Sequence, residues 1–187
     1  MSNLGIDIDD VIFKTSDELK KLLEGCDDAE ILQHKLDIMR GEAVNEKVGH
    51  FLKSNVIPTI KVAIPKDGVA DVIKKIRRDQ NRIILITARG DKYFPGSEDI
   101  TIDRLKKYDI EYDDIIFNCL DKVKICKENN IDLFVDDSPK HCLEVSKNLD
   151  ISVIGFLSDI NREEMAKSNI RCVGSWNELY EIINDKK

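Results

Sequence analysis

A chain of 187 residues is long enough for one domain with a buried core and a small insertion, but too short for two full domains. Its composition, with 42% hydrophobic and 35% charged residues, is that of an ordinary globular protein and excludes the collagen-like and disordered classes. The net charge of -7 argues against binding to nucleic acid or to an anionic membrane, because both attract positively charged proteins.

The N-terminus enters a strand-like run without the basic and apolar regions of a signal peptide, and no apolar segment approaches the roughly 20 residues that span a bilayer. We therefore expect a cytoplasmic protein. The cysteines are scattered and lack the spacing of a zinc site, which predicts reduced and mostly buried thiols. They are Cys26, Cys119, Cys126, Cys142 and Cys172.

Short apolar runs recur along the chain and are continuous rather than alternating, which is typical of strands covered on both faces. They lie at 4–8, 83–87, 114–117, 133–135 and 151–156, with helical patterns between them at 69–76, 102–108, 123–126 and 142–149. A short edge strand at 172–173 and a helix with Ser175 as N-cap close the chain. This alternation predicts a Rossmann-like α/β fold, in which a parallel sheet carries helices on both faces.

A long segment between the first and second strands reads as several helices instead of one crossover. Its apolar residues show three/four spacing at 19–23, 31–39 and 44–52, interrupted by Gly25, Gly41 and Pro58. We therefore predict a small helical cap at 14–64 over the carboxyl ends of the strands, with 1–13 and 65–187 forming the core.

Polar residues follow the predicted strands at the carboxyl edge, where open parallel sheets bind ligands. They are Asp7 and Asp9 after the first strand, Thr87, Ala88 and Arg89 after the second, Lys122 at the start of the next helix, and Asp136 and Asp137 after the fourth. Four carboxylates at one edge would raise one another's pKa values and strain the fold unless a cation lay among them. Mg²⁺ prefers oxygen ligands and accepts a substrate phosphate, so the sequence predicts a magnesium site.

Beside Mg²⁺, the carboxylate of Asp7 suits a nucleophile that forms an aspartyl-phosphate, which water then hydrolyses. Asp9 lies two residues further on and points the same way if the extended run persists, so it can protonate the leaving alcohol. Thr87 and Lys122 supply a hydroxyl and an ammonium group for the negative charge on the phosphoryl oxygens. These roles together predict phosphomonoester hydrolysis.

Four segments resemble the motifs of the haloacid-dehalogenase-like hydrolase superfamily: Asp7-Ile8-Asp9, Leu85-Ile86-Thr87, Lys122 and Leu133-Phe134-Val135-Asp136-Asp137. The Thr-Ala-Arg run, the Asp-Lys pair and the helical insertion are also similar to the 5'(3')-deoxyribonucleotidases and bacterial nucleotidases. The resemblance implies a nucleoside monophosphate as substrate. It further implies Asp7 as nucleophile, Asp9 as acid/base, Thr87, Ala88 and Lys122 as phosphate binders, and Asp7, the Asp9 carbonyl, Asp136 and Asp137 as the Mg²⁺ site.

Several alternatives remain open at this stage. Lys124 is a second candidate for the lysine of the third motif, and Arg89 either binds phosphate or forms a salt bridge at the strand end. Lys140 and His141 are interpreted as a solvated helix turn rather than the edge of the site. Asp10 stands where the superfamily pattern has Gly, and Asp tolerates turn conformations.

The function also has alternatives. A phosphatase of another small metabolite would use the same residues. A phospho-receiver module without turnover also groups Asp, Thr and Lys around Mg²⁺, but it carries its phosphorylated Asp on a middle strand and lacks a long insertion.

Overall fold

A computed structural model describes residues 2–185, so the outermost residues of the predicted core, 1 and 186–187, lie outside the described part. Its strands are β1 Asn3–Ile6, β2 Arg82–Ile86, β3 Asp114–Ile116, β4 Leu133–Asp136, β5 Ser152–Phe156 and β6 Arg171–Val173. All neighbouring strands pair in parallel, in the order β3-β2-β1-β4-β5-β6. The carboxyl end of β1 therefore lies between those of β2 and β4.

The helices are α1 Thr15–Glu24, α2 Ala29–Gln33, α3 Lys35–Met39, α4 Glu46–Val62, α5 Val69–Arg78, α6 Ser97–Lys107, α7 Lys122–Glu128, α8 Pro139–Asn148, α9 Arg162–Lys167 and α10 Trp176–Asn184. The predicted Rossmann-like α/β fold is confirmed. So is the N-cap of the last helix, because the Ser175 hydroxyl accepts a hydrogen bond from the Glu178 amide at 3.3 Å. The short helix α9 is an addition that the sequence patterns do not predict.

Alternate side chains of the central strands pack into two different layers. Ile83 and Leu85 of β2 belong to a core cluster that includes apolar residues of α5 and α10. Ile84 and Ile86 belong to a second cluster that includes residues of α7 and α8. Because successive strand residues point to opposite faces, helices cover both sides of the sheet. This burial on both faces explains why the strands read as continuous apolar runs.

The first strand is shorter than predicted. It ends at Ile6, and the expectation that the extended run persists to residue 8 was wrong. The amides of Ile12 and Phe13 donate to the carbonyl of Ile8, and Asp10 takes a left-handed conformation with φ 52°. A tight loop therefore follows β1, and Asp7 and Asp9 lie on this loop instead of on one face of a strand.

The C-terminal helix stabilises this loop. The indole Nε1 of Trp176 at the start of α10 donates to the Val11 carbonyl at 2.9 Å, and both residues are buried. A buried carbonyl needs such a partner, since an unpaired one carries a desolvation cost. The end of the chain thus stabilises the segment that presents Asp7 and Asp9.

Four helices, α1 to α4, lie between β1 and α5, where the sequence predicts the insertion. They share an apolar cluster that is separate from the two clusters on the sheet, formed by Leu23, Ile31, Ile38, Val48 and Leu52. The division of the chain into a cap at 14–64 and a core stays a prediction. None of the helices in residues 2–185 combines the length and the apolar character needed to cross a membrane.

Candidate active site

Three carboxylates converge at the carboxyl ends of β1 and β4. Asp7 directly follows β1, and its amide donates to the Val135 carbonyl at 2.9 Å, which holds it beside β4. One oxygen from each of Asp7, Asp136 and Asp137 lies within 4.8 Å of the others. This acidic cluster has only oxygen donors, which is the ligand set that Mg²⁺ prefers. The residues present therefore fit a hard dication.

Lys122 is a buried cation that contacts the acidic cluster. Its Nζ donates to Asp7 Oδ1 at 2.5 Å and to the Ile86 carbonyl at 2.6 Å, and lies 3.6 Å from Asp136 Oδ2. Only 1% of its side chain is exposed, compared with 64% for Lys124, whose ammonium lies 3.9 Å from Glu128 on the surface. Of the two candidate lysines, the structure brings Lys122 to the site.

The pKa values of these residues depend on their burial and on the charges next to them. Burial raises the pKa of Asp7 to about 7, with Asp136 and Asp9 adding to the rise and Lys122 opposing it. Burial and the nearby carboxylates also raise the pKa of Asp137 well above its ordinary value. Burial would lower the pKa of Lys122, but Asp7 and Asp136 raise it above its ordinary value, so its ammonium stays charged. One ammonium does not balance three carboxylates, and negative charge remains for a metal ion to neutralise.

The carboxylate of Asp9 lies next to this cluster and pairs with Arg89. Arg89 Nη2 donates to Asp9 Oδ1 at 2.6 Å, and Nε donates to Oδ2 at 3.0 Å. The Thr15 hydroxyl donates to Oδ1 at 2.7 Å. Burial alone would raise the pKa of Asp9, but Arg89 and Thr15 hold it below its ordinary value. Of the two alternatives for Arg89, phosphate binding or a salt bridge, the structure shows a salt bridge with Asp9.

Thr87 and Ala88 begin the loop after β2. The Thr87 amide donates to the Ile116 carbonyl at 3.0 Å, and its hydroxyl oxygen accepts from the Arg89 amide at 3.1 Å. A hydroxyl that accepts in this way retains its own proton for donation. Ala88 is exposed at the surface of the same loop. Both residues follow the strand that neighbours β1, so they occupy the carboxyl edge as predicted from the topology.

No protein-family model matches the chain. Two curated bacterial proteins match part of it. "Putative nucleotidase YqfW" from Bacillus subtilis is 32% identical over 111 residues, which cover 59% of this chain and 55% of that protein. "Nucleotidase CA_C3379" from Clostridium acetobutylicum is 32% identical over 123 residues, which cover 64% and 59%. The chain therefore matches less than two thirds of the length of these relatives.

Solved structures match nearly the whole chain at low identity. A "predicted phosphatase" from Clostridium acetobutylicum has a TM-score of 0.70 and 14% identity, covering 98% of both chains. A HAD-superfamily hydrolase of subfamily IA from Geobacter sulfurreducens has a TM-score of 0.58 and 12% identity, covering 97% of this chain and 96% of the other. The chain has the haloacid-dehalogenase-like hydrolase fold. The fold that the four motif segments imply is thereby confirmed.

Two residues near this acidic cluster have contacts that the sequence does not predict. His141 Nδ1 lies 3.2 Å from Asp136 Oδ2, so the interpretation of His141 as part of a solvated turn was wrong. Asp10 is buried, and its Oδ1 accepts from the Ser16 amide at 3.0 Å and hydroxyl at 2.8 Å. This carboxylate therefore fixes the start of α1, which explains an Asp where the haloacid-dehalogenase-like pattern has Gly.

A cavity of about 220 Å³ opens beside Asp10, between the insertion and the loop after β5. Basic side chains from both sides line it, together with Asp17, Asp159 and Met39; the basic residues are Lys14, Lys20, Lys66 and Arg162. Cationic groups are otherwise in the minority in this acidic chain. The cavity is therefore a polar compartment next to the loop that carries Asp7, Asp9 and Asp10.

Proposed function

We propose that this chain is a Mg²⁺-dependent phosphomonoester hydrolase that forms an aspartyl-phosphate on Asp7. The observation that carries the proposal is the position of Asp7, buried at the end of the central strand with Lys122 at 2.5 Å and two further carboxylates within 4.8 Å. A nucleophilic carboxylate needs this combination, because the neighbouring cation and metal site reduce its repulsion of the phosphate dianion.

In the first half of the reaction, an oxygen of Asp7 attacks phosphorus and the bond to the leaving oxygen breaks. Asp9 in its protonated form donates a proton to that oxygen, so that an alcohol leaves instead of an alkoxide. The Lys122 ammonium and the Thr87 hydroxyl stabilise the negative charge on the phosphoryl oxygens in the transition state. Phosphate is then bound covalently to Asp7.

In the second half, Asp9 takes a proton from water, and the resulting hydroxide oxygen attacks phosphorus. The acyl-phosphate bond breaks, which releases inorganic phosphate and restores the Asp7 carboxylate. The same residue therefore gives and then recovers one proton in each turnover. A phospho-receiver needs no such residue, and the position of Asp9 next to Asp7 favours turnover over stable phosphorylation.

The acidic cluster of Asp7, Asp136 and Asp137 would hold Mg²⁺, with the Asp9 carbonyl as a further ligand. When bound, the ion supplies positive charge that orients the substrate phosphate and offsets its repulsion by the carboxylates. His141 Nδ1 and Lys122 Nζ lie 3.2 Å and 3.6 Å from Asp136 Oδ2, and they would orient this carboxylate as a ligand.

We propose a nucleoside monophosphate as the substrate. The names of the two bacterial relatives support this choice, as does the polar cavity between the insertion and the core, which offers room for part of a leaving group. A small phosphorylated metabolite of another class is the alternative. The insertion would select between these two substrate classes, because it supplies one wall of the cavity.

The test is a Mg²⁺-dependent phosphate-release screen over nucleotides, sugar phosphates and p-nitrophenyl phosphate. We expect many turnovers per enzyme, and we expect Asp7→Asn to reduce kcat by roughly three orders of magnitude or more. Asp71→Asn, an exposed carboxylate on α5, serves as the matched control. Release of one phosphate per protein would support a receiver, while substantial hydrolysis by Asp7→Asn or full activity with a chelator would refute the mechanism.

A further inference from the structure

Arg89 is a buried cation that the proposed reaction leaves without a role. Only 3% of its side chain is exposed, and it lies on the loop after β2, two residues beyond Thr87. Nε and Nη2 donate to Asp9, while Nη1 donates to the Thr101 hydroxyl of α6 at 3.1 Å. The guanidinium also lies 5.7 Å from the centre of the Phe13 ring.

These contacts leave little of Arg89 for a substrate phosphate. A guanidinium has five N–H donors. Asp9 accepts one N–H from Nε and one from Nη2, and Thr101 accepts one from Nη1. The second N–H of Nη2 contacts the Thr15 hydroxyl at 3.4 Å. One N–H of Nη1 remains, so Arg89 could bind phosphate through two N–H groups only by releasing Asp9, Thr101 or Thr15.

The two oxygens of Asp9 are held differently. Oδ1 accepts from Arg89 Nη2 at 2.6 Å and from the Thr15 hydroxyl at 2.7 Å, with Arg89 Nε at 3.2 Å. Oδ2 accepts from Arg89 Nε at 3.0 Å, its one contact within the described residues. The planar fork of a guanidinium fixes both the position and the plane of a carboxylate, which a lysine cannot do. Oδ2 is therefore the oxygen that is free to exchange a proton.

We propose that Arg89 is a positioning residue that orients the Asp9 carboxyl group for proton exchange with the leaving oxygen and with water. Thr101 holds the guanidinium in place from α6. This inference rests on the proposed function, in which Asp9 transfers the proton. Orientation matters because Asp9 lies on a loop beyond the end of β1, so the position of its carboxyl group depends on its side-chain contacts.

The experiment compares kcat/KM for substrates whose leaving groups differ in their need for a proton. A nucleoside monophosphate expels an alkoxide and needs the proton of Asp9, whereas p-nitrophenyl phosphate expels a stabilised phenolate. For Arg89→Lys, we expect kcat/KM to fall by about 100-fold with the nucleotide and less than about tenfold with the aryl phosphate. Since kcat/KM for the aryl substrate reports only phosphorylation of the enzyme, slower hydrolysis of the intermediate should appear as a burst of p-nitrophenol.

Two further variants test whether Arg89 acts through Asp9. Asp9→Asn should show the same dependence on the leaving group, and adding Arg89→Lys to it should cause little further loss. Thr101→Val keeps the arginine but removes the acceptor of Nη1, and it should show the same pattern with a smaller loss. It also keeps the test valid if Arg89→Lys folds poorly.

Arg104→Lys is the matched control. Arg104 lies 5.9 Å from the same Phe13 ring but donates to the Ala63 carbonyl instead of Asp9, so its replacement should affect both substrates equally. Equal losses with both substrates for Arg89→Lys, or a rise in KM alone, would overturn the inference in favour of a structural or phosphate-binding role. Absence of turnover by the unmodified protein would instead overturn the proposed function, and this inference with it.

Discussion

Replacement of Lys122 by Met tests whether the acidic cluster depends on a single buried ammonium. Methionine has nearly the length of lysine without its charge, so the change leaves little cavity. It removes the hydrogen bonds to Asp7 and to the Ile86 carbonyl, and the positive charge 3.6 Å from Asp136. The buried Asp7 carboxylate then loses its hydrogen-bond donor and Asp136 loses a nearby positive charge, while the packing around them stays close to the original.

The expected loss is large relative to the stability of the fold. Removal of one partner from a buried ion pair typically costs about 3–5 kcal/mol, because the remaining charge is buried without compensation. A domain of this size is typically stable by only about 5–15 kcal/mol. Lys122 opposes the rise in the pKa of Asp7, so without it Asp7 binds a proton more readily. Protonation relieves the uncompensated charge, and the loss should therefore be smaller at pH 5.5 than at pH 8.

The assay is urea unfolding of the metal-free protein, followed by circular dichroism at both pH values. Lys124→Met is the matched control, because Lys124 is 64% exposed and its ion pair with Glu128 contributes about 0.5 kcal/mol or less. A loss below about 1 kcal/mol at pH 8 for Lys122→Met, or an equal loss for Lys124→Met, would refute the reasoning. Addition of Mg²⁺ should restore part of the lost stability, since it replaces the missing positive charge.

Two further predictions concern the metal and the C-terminal helix. The pKa of Asp7 is raised from 3.8 to about 7, so its ionisation should destabilise the metal-free fold as the pH rises through this range. Mg²⁺ requires deprotonated ligands, and its shift of Tm in differential scanning fluorimetry should therefore be larger at pH 8 than at pH 5.5; a shift independent of pH would contradict this. Trp176→Phe should cost about 1–3 kcal/mol in urea unfolding, since the buried Val11 carbonyl loses its donor. Equal stability of Trp176→Phe and the unmodified protein would show that water replaces the indole as the donor to this carbonyl.

The fold was predictable because a sheet covered on both faces leaves a simple pattern in the sequence. Continuous apolar runs mark the buried strands, and helical spacing between them requires parallel crossovers. The end of β1 was not predictable from this pattern, because Ile8, Val11 and Ile12 are as apolar as the strand itself. These three residues are buried in the loop that turns at Asp10. Apolar character alone does not distinguish a buried loop from a buried strand.

Some residues of the candidate site were predictable from the sequence, and others were not. Asp7 and Asp136 were predictable because parallel topology brings the ends of adjacent strands together, and Lys122 because it begins the helix that follows β3 at the same edge. Thr101 and His141 were not, because they lie on helices and reach the site only through the packing of those helices on the sheet. The partner of Arg89 likewise depends on where the loop after β1 places Asp9, which the strand pattern does not indicate.

Charge separates the site into two parts with different properties. The Asp9–Arg89 pair is balanced, and further hydrogen bonds from Thr15 and to Thr101 hold it. The acidic cluster has Lys122 as its contacting ammonium, and burial together with the neighbouring carboxylates raises the pKa values of Asp7 and Asp137, so a fully ionised cluster carries excess negative charge. A phosphate dianion would be repelled by this excess and attracted once a dication neutralises it. Metal binding should therefore precede or accompany substrate binding, while Arg89 and Thr15 hold Asp9, the proposed proton-transfer residue, in position before either arrives.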